Sequence, residues 1–112
     1  MESTRQHKIS RLIQKELAEY FQRESRSFFP NKLITVTMVR VTSDLSIARV
    51  YLSIFPAGKD EDLLGPVTGH SGKIRNELAK KVRHQLRKIP ELEFFLDDSL
   101  DYADNIDRLL HN

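Results

Sequence analysis

The chain of 112 residues contains no cysteine. Disulfides, cysteine-ligated metals and thiol chemistry are thereby excluded, and the composition fits a reducing compartment. No apolar run approaches the roughly 20 residues needed to cross a bilayer. The stretch Met1–Lys8 has no signal-peptide core, so a soluble cytoplasmic protein is expected. There is no internal repeat and no low-complexity segment. The four histidines, His7, His70, His84 and His111, lack metal-type spacing. No set of side chains converges on a nucleophile or a base. Asp97 and Asp98 are chain neighbours, and neighbours on a strand point to opposite faces, so they suit a strand end and a helix cap. A protein that is not an enzyme, with neither cofactor nor metal, is the expectation.

What the chain has is segregated charge. The overall balance is only +2. From Ser71 to Pro90, however, seven cations (Lys73, Arg75, Lys80, Lys81, Arg83, Arg87, Lys88) face one acid, Glu77. From Glu91 to Asn112, seven acids face one base, Arg108. A +6 stretch is thus followed by a −6 stretch, and fields of this kind steer association with charged partners.

The length suits one domain over residues 1–112. Ile9, Leu12, Ile13, Leu17, Tyr20 and Phe21 recur at helical offsets and predict a helix over 5–27, which Phe29-Pro30 ends. Residues 33–41 and 47–55 are rich in β-branched types and predict two strands. Thr42-Ser43-Asp44-Leu45-Ser46 between them is turn chemistry, which makes an antiparallel hairpin. Residues 59–69 are ambiguous: a helix begins near Lys59–Leu64, and Gly65-Pro66 breaks or restarts it. Ile74, Leu78, Val82 and Leu86 predict a helix over 72–88. Residues 91–96 predict a third strand with Leu92, Phe94 and Leu96 inward. A short helix is expected over about 99–111, capped by Asp98 or Ser99, with Tyr102, Ile106, Leu109 and Leu110 on its apolar side. The order fits a two-layer α+β domain, a three-stranded sheet with helices on one face. Tyr51 and Phe55 fall on the outer strand face, where partial cover by a helix is the favoured reading.

On the 72–88 helix, Lys73, Lys80, Arg83, His84 and Arg87 lie roughly opposite the apolar stripe. A row of cations with almost no acids suits a phosphate backbone, with affinity falling steeply as salt rises. Arg75 sits at the stripe's edge and suits either a phosphate or a carboxylate of the acidic stretch. Arg5, Lys8, Arg11 and Lys15 of the first helix add further cations. A second class of function is a protein-interaction module whose basic helix meets an acidic protein. Gly69-His70-Ser71-Gly72 has the spacing of the Gly-x-x-Gly loop with which a KH domain approaches nucleotides. A helix cap followed by a restart explains the same residues.

Three runs carry a family resemblance: Val36–Tyr51, Ile74-Arg75, and Pro90-Glu91-Leu92-Glu93-Phe94-Phe95-Leu96-Asp97-Asp98-Ser99. In this order and spacing the chain resembles bacterial ribosome-binding factor A over about residues 5–110. The resemblance implies a KH-like fold of the type II order, α-β-β-α-kink-α-β. It implies a factor that binds the free small ribosomal subunit and its rRNA and supports late rRNA maturation. It further implies growth in the cold, assembly GTPases as functional neighbours, and a monomer. In that family an Ala-x-Gly kink replaces the KH loop. The matching triplet here is His70-Ser71-Gly72, in which Gly72 fits the pattern as the pivot and His70 departs from it.

Overall fold

A computed structural model describes residues 3–57 and 61–97. Helix α1 spans Thr4–Phe28. It opens on a capping box: the Ser3 hydroxyl accepts from the Gln6 amide at 3.1 Å, and the Gln6 side chain accepts from the Ser3 amide at 2.8 Å. Two of the orphan amides of the first turn are thereby satisfied. Its inward stripe buries Ile9, Ile13, Leu17, Tyr20 and Phe21, and it stops at Phe29, in extended backbone, before Pro30.

Strands β1 (Leu33–Val41) and β2 (Ile47–Phe55) pair antiparallel, with the bounds the sequence predicts. Ala48, Val50, Leu52 and Ile54 of β2 are buried. β1 does not alternate simply. A register shift between Val36 and Met38 inserts one residue, so Ile34 and Val36 before it and Val39 and Val41 after it all face the core. Thr37 marks the bulge, its hydroxyl 3.2 Å from the Tyr51 carbonyl. The outer edge of β1 is covered by α1. Gln6 and Gln14 donate to the Val41 and Thr37 carbonyls, and Ser10 accepts from the Val41 amide, which closes an edge otherwise open to pairing.

β3 (Glu91–Leu96) lies parallel to β2 at the other edge, giving the order β1-β2-β3. A parallel neighbour needs a crossover, here built from α2 (Gly65–Thr68) and α3 (Ser71–Val82). All three helices pack on one face of the sheet around a single core that includes Phe21, Leu52, Val67, Ile74 and Val82. The architecture is α+β.

One open stretch is resolved and three expectations are corrected. The ambiguous stretch resolves as a start rather than a break: Gly65-Pro66 opens α2, with Pro66 in its first turn and the Asp62 carboxylate accepting from the Gly65 amide at 2.9 Å. The main basic helix ends at Val82, not at 88. The chain must turn there to enter β3, and the amides of Gln85 and Leu86 both close onto the Val82 carbonyl. Leu96 is 44% exposed although Leu92 and Phe94 of the same strand are buried, because it is the last residue of β3 and lies past the core. On the outer face, no described helix covers Tyr51 or Phe55. Tyr51 stacks on Phe95 at 5.3 Å, and Phe55 is 63% exposed. The short helix expected over 99–111 lies outside the described residues.

Candidate nucleic-acid interface

The kink sits between α2 and α3. The Gly69 amide donates to the Gly65 carbonyl, the His70 amide to Val67, and the Ile74 amide to His70. His70 holds φ −108°, ψ 16°, the sparsely allowed bridge region, and precedes α3. Its Nδ1 lies 2.8 Å from the Pro66 carbonyl, and its ring meets Phe28 edge-on at 5.4 Å. His70 therefore ties the kink to both α2 and α1. Gly69 (φ −62°, ψ −19°) and His70 form the junction itself, and Gly69 and Gly72 differ in their surroundings. A Cβ on Gly69 would lie 3.3 Å from the Gly65 carbonyl oxygen, whereas a Cβ on Gly72 would meet nothing within 4 Å. Ser71 and Gly72 form the first turn of α3, and Gly72 is exposed.

Of the predicted cations, Lys73 and Lys80 are exposed on α3. Lys80 reaches Glu77 at 3.2 Å. An exposed pair of this kind is worth only about 0.3–0.5 kcal/mol, so the ammonium stays available. Arg75 has a different role. Its guanidinium donates to the Pro90 carbonyl at 3.1 Å and the Ile89 carbonyl at 2.7 Å, and lies 3.8 Å from a Glu91 carboxylate oxygen. It clamps the segment that leads into β3, and its fork is spent on backbone. Arg83, His84 and Arg87 are exposed but lie beyond the end of the helix. The single basic helix face drawn from the sequence is therefore divided.

The division brings distant cations together. α3 runs back along α1, and residues 83–88 continue toward the start of α1. There a groove of about 620 Å³ opens between the first turns of α1, the β1–β2 turn and residues 85–90. Arg5 and Lys8 line one side, Arg87 and Lys88 the other, with Ile9, Leu45, Leu86 and Pro90 as apolar wall. Arg11 points elsewhere, into a depression shared with His7, Met38 and Arg40, and Lys15 is exposed outside both. The middle of the α1–α3 seam is of mixed sign, with Glu16 and Glu77 beside Arg23 and Lys81. Positive charge is therefore concentrated at the groove.

The turn at the groove's rim was not picked out from the sequence as functional. Thr42 Oγ1 and Ser46 Oγ donate to Asp44 Oδ1 at 2.7 Å each, and the Ser46 amide donates to the same oxygen at 3.1 Å. Those bonds, with Lys88 nearby, hold the Asp44 carboxyl down at about 2. Leu45 adopts φ 62°, in the left-handed region. Lys88 was counted in the charge balance but not assigned to a site. The signal that would have found all three is the fold's return of residue 88 to the hairpin turn, which no local pattern carries. Among the described residues there is no metal-ligating cluster, and no helix is long and apolar enough to cross a membrane.

A sheet of order β1-β2-β3 backed by α1 and a kinked α2–α3 pair is also the arrangement of known proteins. The family model described as ribosome-binding factor A matches residues 5–110. Ribosome-binding factor A of Flavobacterium johnsoniae is 48% identical over 111 residues, 98% of this chain and 85% of that protein. That of Christiangramia forsetii is 46% identical over 108 residues, 96% and 82% of the two chains. The crystal structure of ribosome-binding factor A from Thermus thermophilus superposes with a TM-score of 0.67 at 25% identity, covering 81% of this chain and 94% of the other. Coordinates of the Thermus thermophilus factor as fitted into a cryo-EM map of a 30S complex give 0.61 at 31% identity, covering 78% and 89%. The fold is KH-like, with Gly69-His70-Ser71-Gly72 at the junction of α2 and α3, and with the match running through nearly every described element the chain belongs to the ribosome-binding factor A family.

Proposed function

We propose that this protein is a ribosome assembly factor that binds the free small ribosomal subunit and supports late maturation of its rRNA. The observation that carries the reading is the family match over residues 5–110 in a chain that sets Arg5, Lys8, Arg87 and Lys88 around one groove. A Thermus thermophilus relative is itself described in complex with 30S. The chain acts as a single RNA-binding domain and a monomer in the cytoplasm, without cofactor and without turnover of its own. Assembly GTPases are its functional neighbours, and its loss is felt most in the cold. The RNA-binding surface runs from Lys73 and Lys80 on α3 through Arg83 and His84 to Arg87, with Arg5 and Lys8 across the groove and Arg11 and Lys15 further along α1.

The test is co-sedimentation with free small subunits on a gradient at physiological salt. The triple variant Lys80→Glu, Arg83→Glu, Arg87→Glu is expected to leave the particle. Three lost phosphate contacts lower the slope of log affinity against log salt by roughly 2. A triple variant that sediments like the wild type overturns this surface. Cells without the protein are expected to accumulate free small subunits carrying unprocessed rRNA. Nuclease treatment separates this reading from binding to an acidic protein, which survives it.

A further inference from the structure

A surface built only for phosphates needs cations and no apolar recess. The groove at the start of α1 has both. Its 620 Å³ falls in the range of small-ligand sites, roughly 300–1,000 Å³, which a nucleotide fits. We propose that it holds one unstacked nucleotide of RNA, with the base against Leu45 and Leu86, the flanking phosphates on Arg5, Lys8, Arg87 and Lys88, and the Asp44 carboxylate selecting a base edge that presents N–H donors, guanine first. This rests on the reading above that the protein meets RNA.

Three observations converge on it. First, single-stranded RNA is recognised by splaying a base out of its stack, often onto an aromatic or guanidinium plane, while cations track the backbone. The groove offers Leu45, Leu86 and Arg87 for the base and cations on both banks.

Second, Leu45 is a γ-branched residue at φ 62°. The left-handed region is disfavoured for a residue with a Cβ and is ordinarily given to Gly, Asn or Asp. Strain of this kind clusters at functional sites. Here it places an apolar side chain in the groove wall.

Third, Asp44 is fully ionised at any working pH and sits among phosphate-binding cations. Its three hydrogen bonds all fall on Oδ1. They fix the carboxylate and leave Oδ2 to accept from elsewhere. A carboxylate repels phosphate, so its place at this rim suits a base edge. Guanine presents N1–H and N2–H side by side. Adenine and cytosine present one amino group, whereas the N3–H of uracil lies between two carbonyls that a carboxylate repels.

Fluorescence anisotropy with 5′-labelled UUGUU and UUUUU RNA at one fixed salt concentration tests this on the full chain. The wild type is expected to bind UUGUU about tenfold tighter, the effect of one charge-assisted hydrogen bond. Asp44→Asn brings the ratio of the two affinities to about one, and Arg87→Ala weakens both RNAs alike. Equal wild-type affinities overturn the proposal, as does a guanine preference that survives Asp44→Asn. A second measurement needs no variant. Amide NMR shifts on adding UUGUU to the wild type are expected at Leu45, Ser46, Leu86 and Arg87, and shifts confined to Lys73–Lys81 overturn the site. Wild-type co-sedimentation with small subunits, run in parallel, separates the two levels. Its failure sinks the assembly-factor reading, whereas co-sedimentation without guanine preference sinks only the nucleotide site.

Discussion

Arg75 shows how a cation in a basic run takes a structural post. Its guanidinium closes on the carbonyls of Ile89 and Pro90, which have no strand partner yet and stand where the crossover enters the sheet. Truncation to Ala leaves both carbonyls short of a donor, at a cost of about 1–3 kcal/mol. For a domain of this size that lowers the melting temperature by roughly 4–8 °C per kcal/mol. Arg75→Lys falls between, because an ammonium cannot reproduce the fork. The salt slope of RNA binding is expected to hold at the wild-type value in the charge-removing variant Arg75→Gln, while Arg87→Ala reduces it by about 0.7. Calorimetry together with a salt titration checks both. A slope reduced by about 0.7 in Arg75→Gln returns Arg75 to the RNA-binding set.

At the scale of elements, what was legible depended on whether a local pattern decided the outcome. α1, β1, β2 and β3 were readable to within a residue or two, because apolar period and turn residues agree there. The bulge at Thr37 was not. Leu33-Ile34-Thr35-Val36-Thr37-Met38-Val39-Arg40-Val41 is apolar at both odd and even positions, and only pairing with β2 decides where the phase slips. The end of α3 was hidden for a related reason. Leu86 continues the i+4 spacing of Ile74, Leu78 and Val82, yet it reaches the core from a turn. The early end of α3 moves Arg87 and Lys88 to the groove, so the missed boundary and the missed site are one event. At the kink, two glycines compete for the role of pivot. The family pattern marks Gly72, and the close contact is at Gly69. Gly72→Ala is expected to stabilise the fold by about 0.5–1 kcal/mol through helix propensity. Gly69→Ala pushes a Cβ toward the Gly65 carbonyl and is expected to be the less stable of the two. Urea unfolding of the pair measures the order, and the reverse order restores Gly72 as pivot.

On the scale of the whole molecule, the +6 and −6 stretches invite the idea that the acidic residues mask the cations. Screening decides how far such an effect reaches. Residues 98–112 carry Asp98, Asp101, Asp104 and Asp107 against Arg108. They follow Asp97, whose amide donates to the Leu52 carbonyl and whose carboxylate accepts from Thr37. Asp97 stands at the far end of β3 from the groove, since the opposite end, Glu91, donates to Ser46 beside the Asp44 turn. Six strand residues span about 20 Å. The Debye length is about 8 Å at physiological salt and about 30 Å at 0.01 M, so any charge held about 20 Å from the groove acts on it only in dilute salt. Replacing the four aspartates by asparagine in the full chain is therefore expected to change RNA affinity by less than about twofold at 0.15 M salt. At 0.01 M the same change is expected to raise affinity several-fold, because the unscreened field then reaches the groove. Anisotropy titrations of both proteins at the two salt concentrations distinguish the cases. A several-fold gain already present at 0.15 M means that the acidic residues lie against the cations, and masking is then part of how this protein meets RNA.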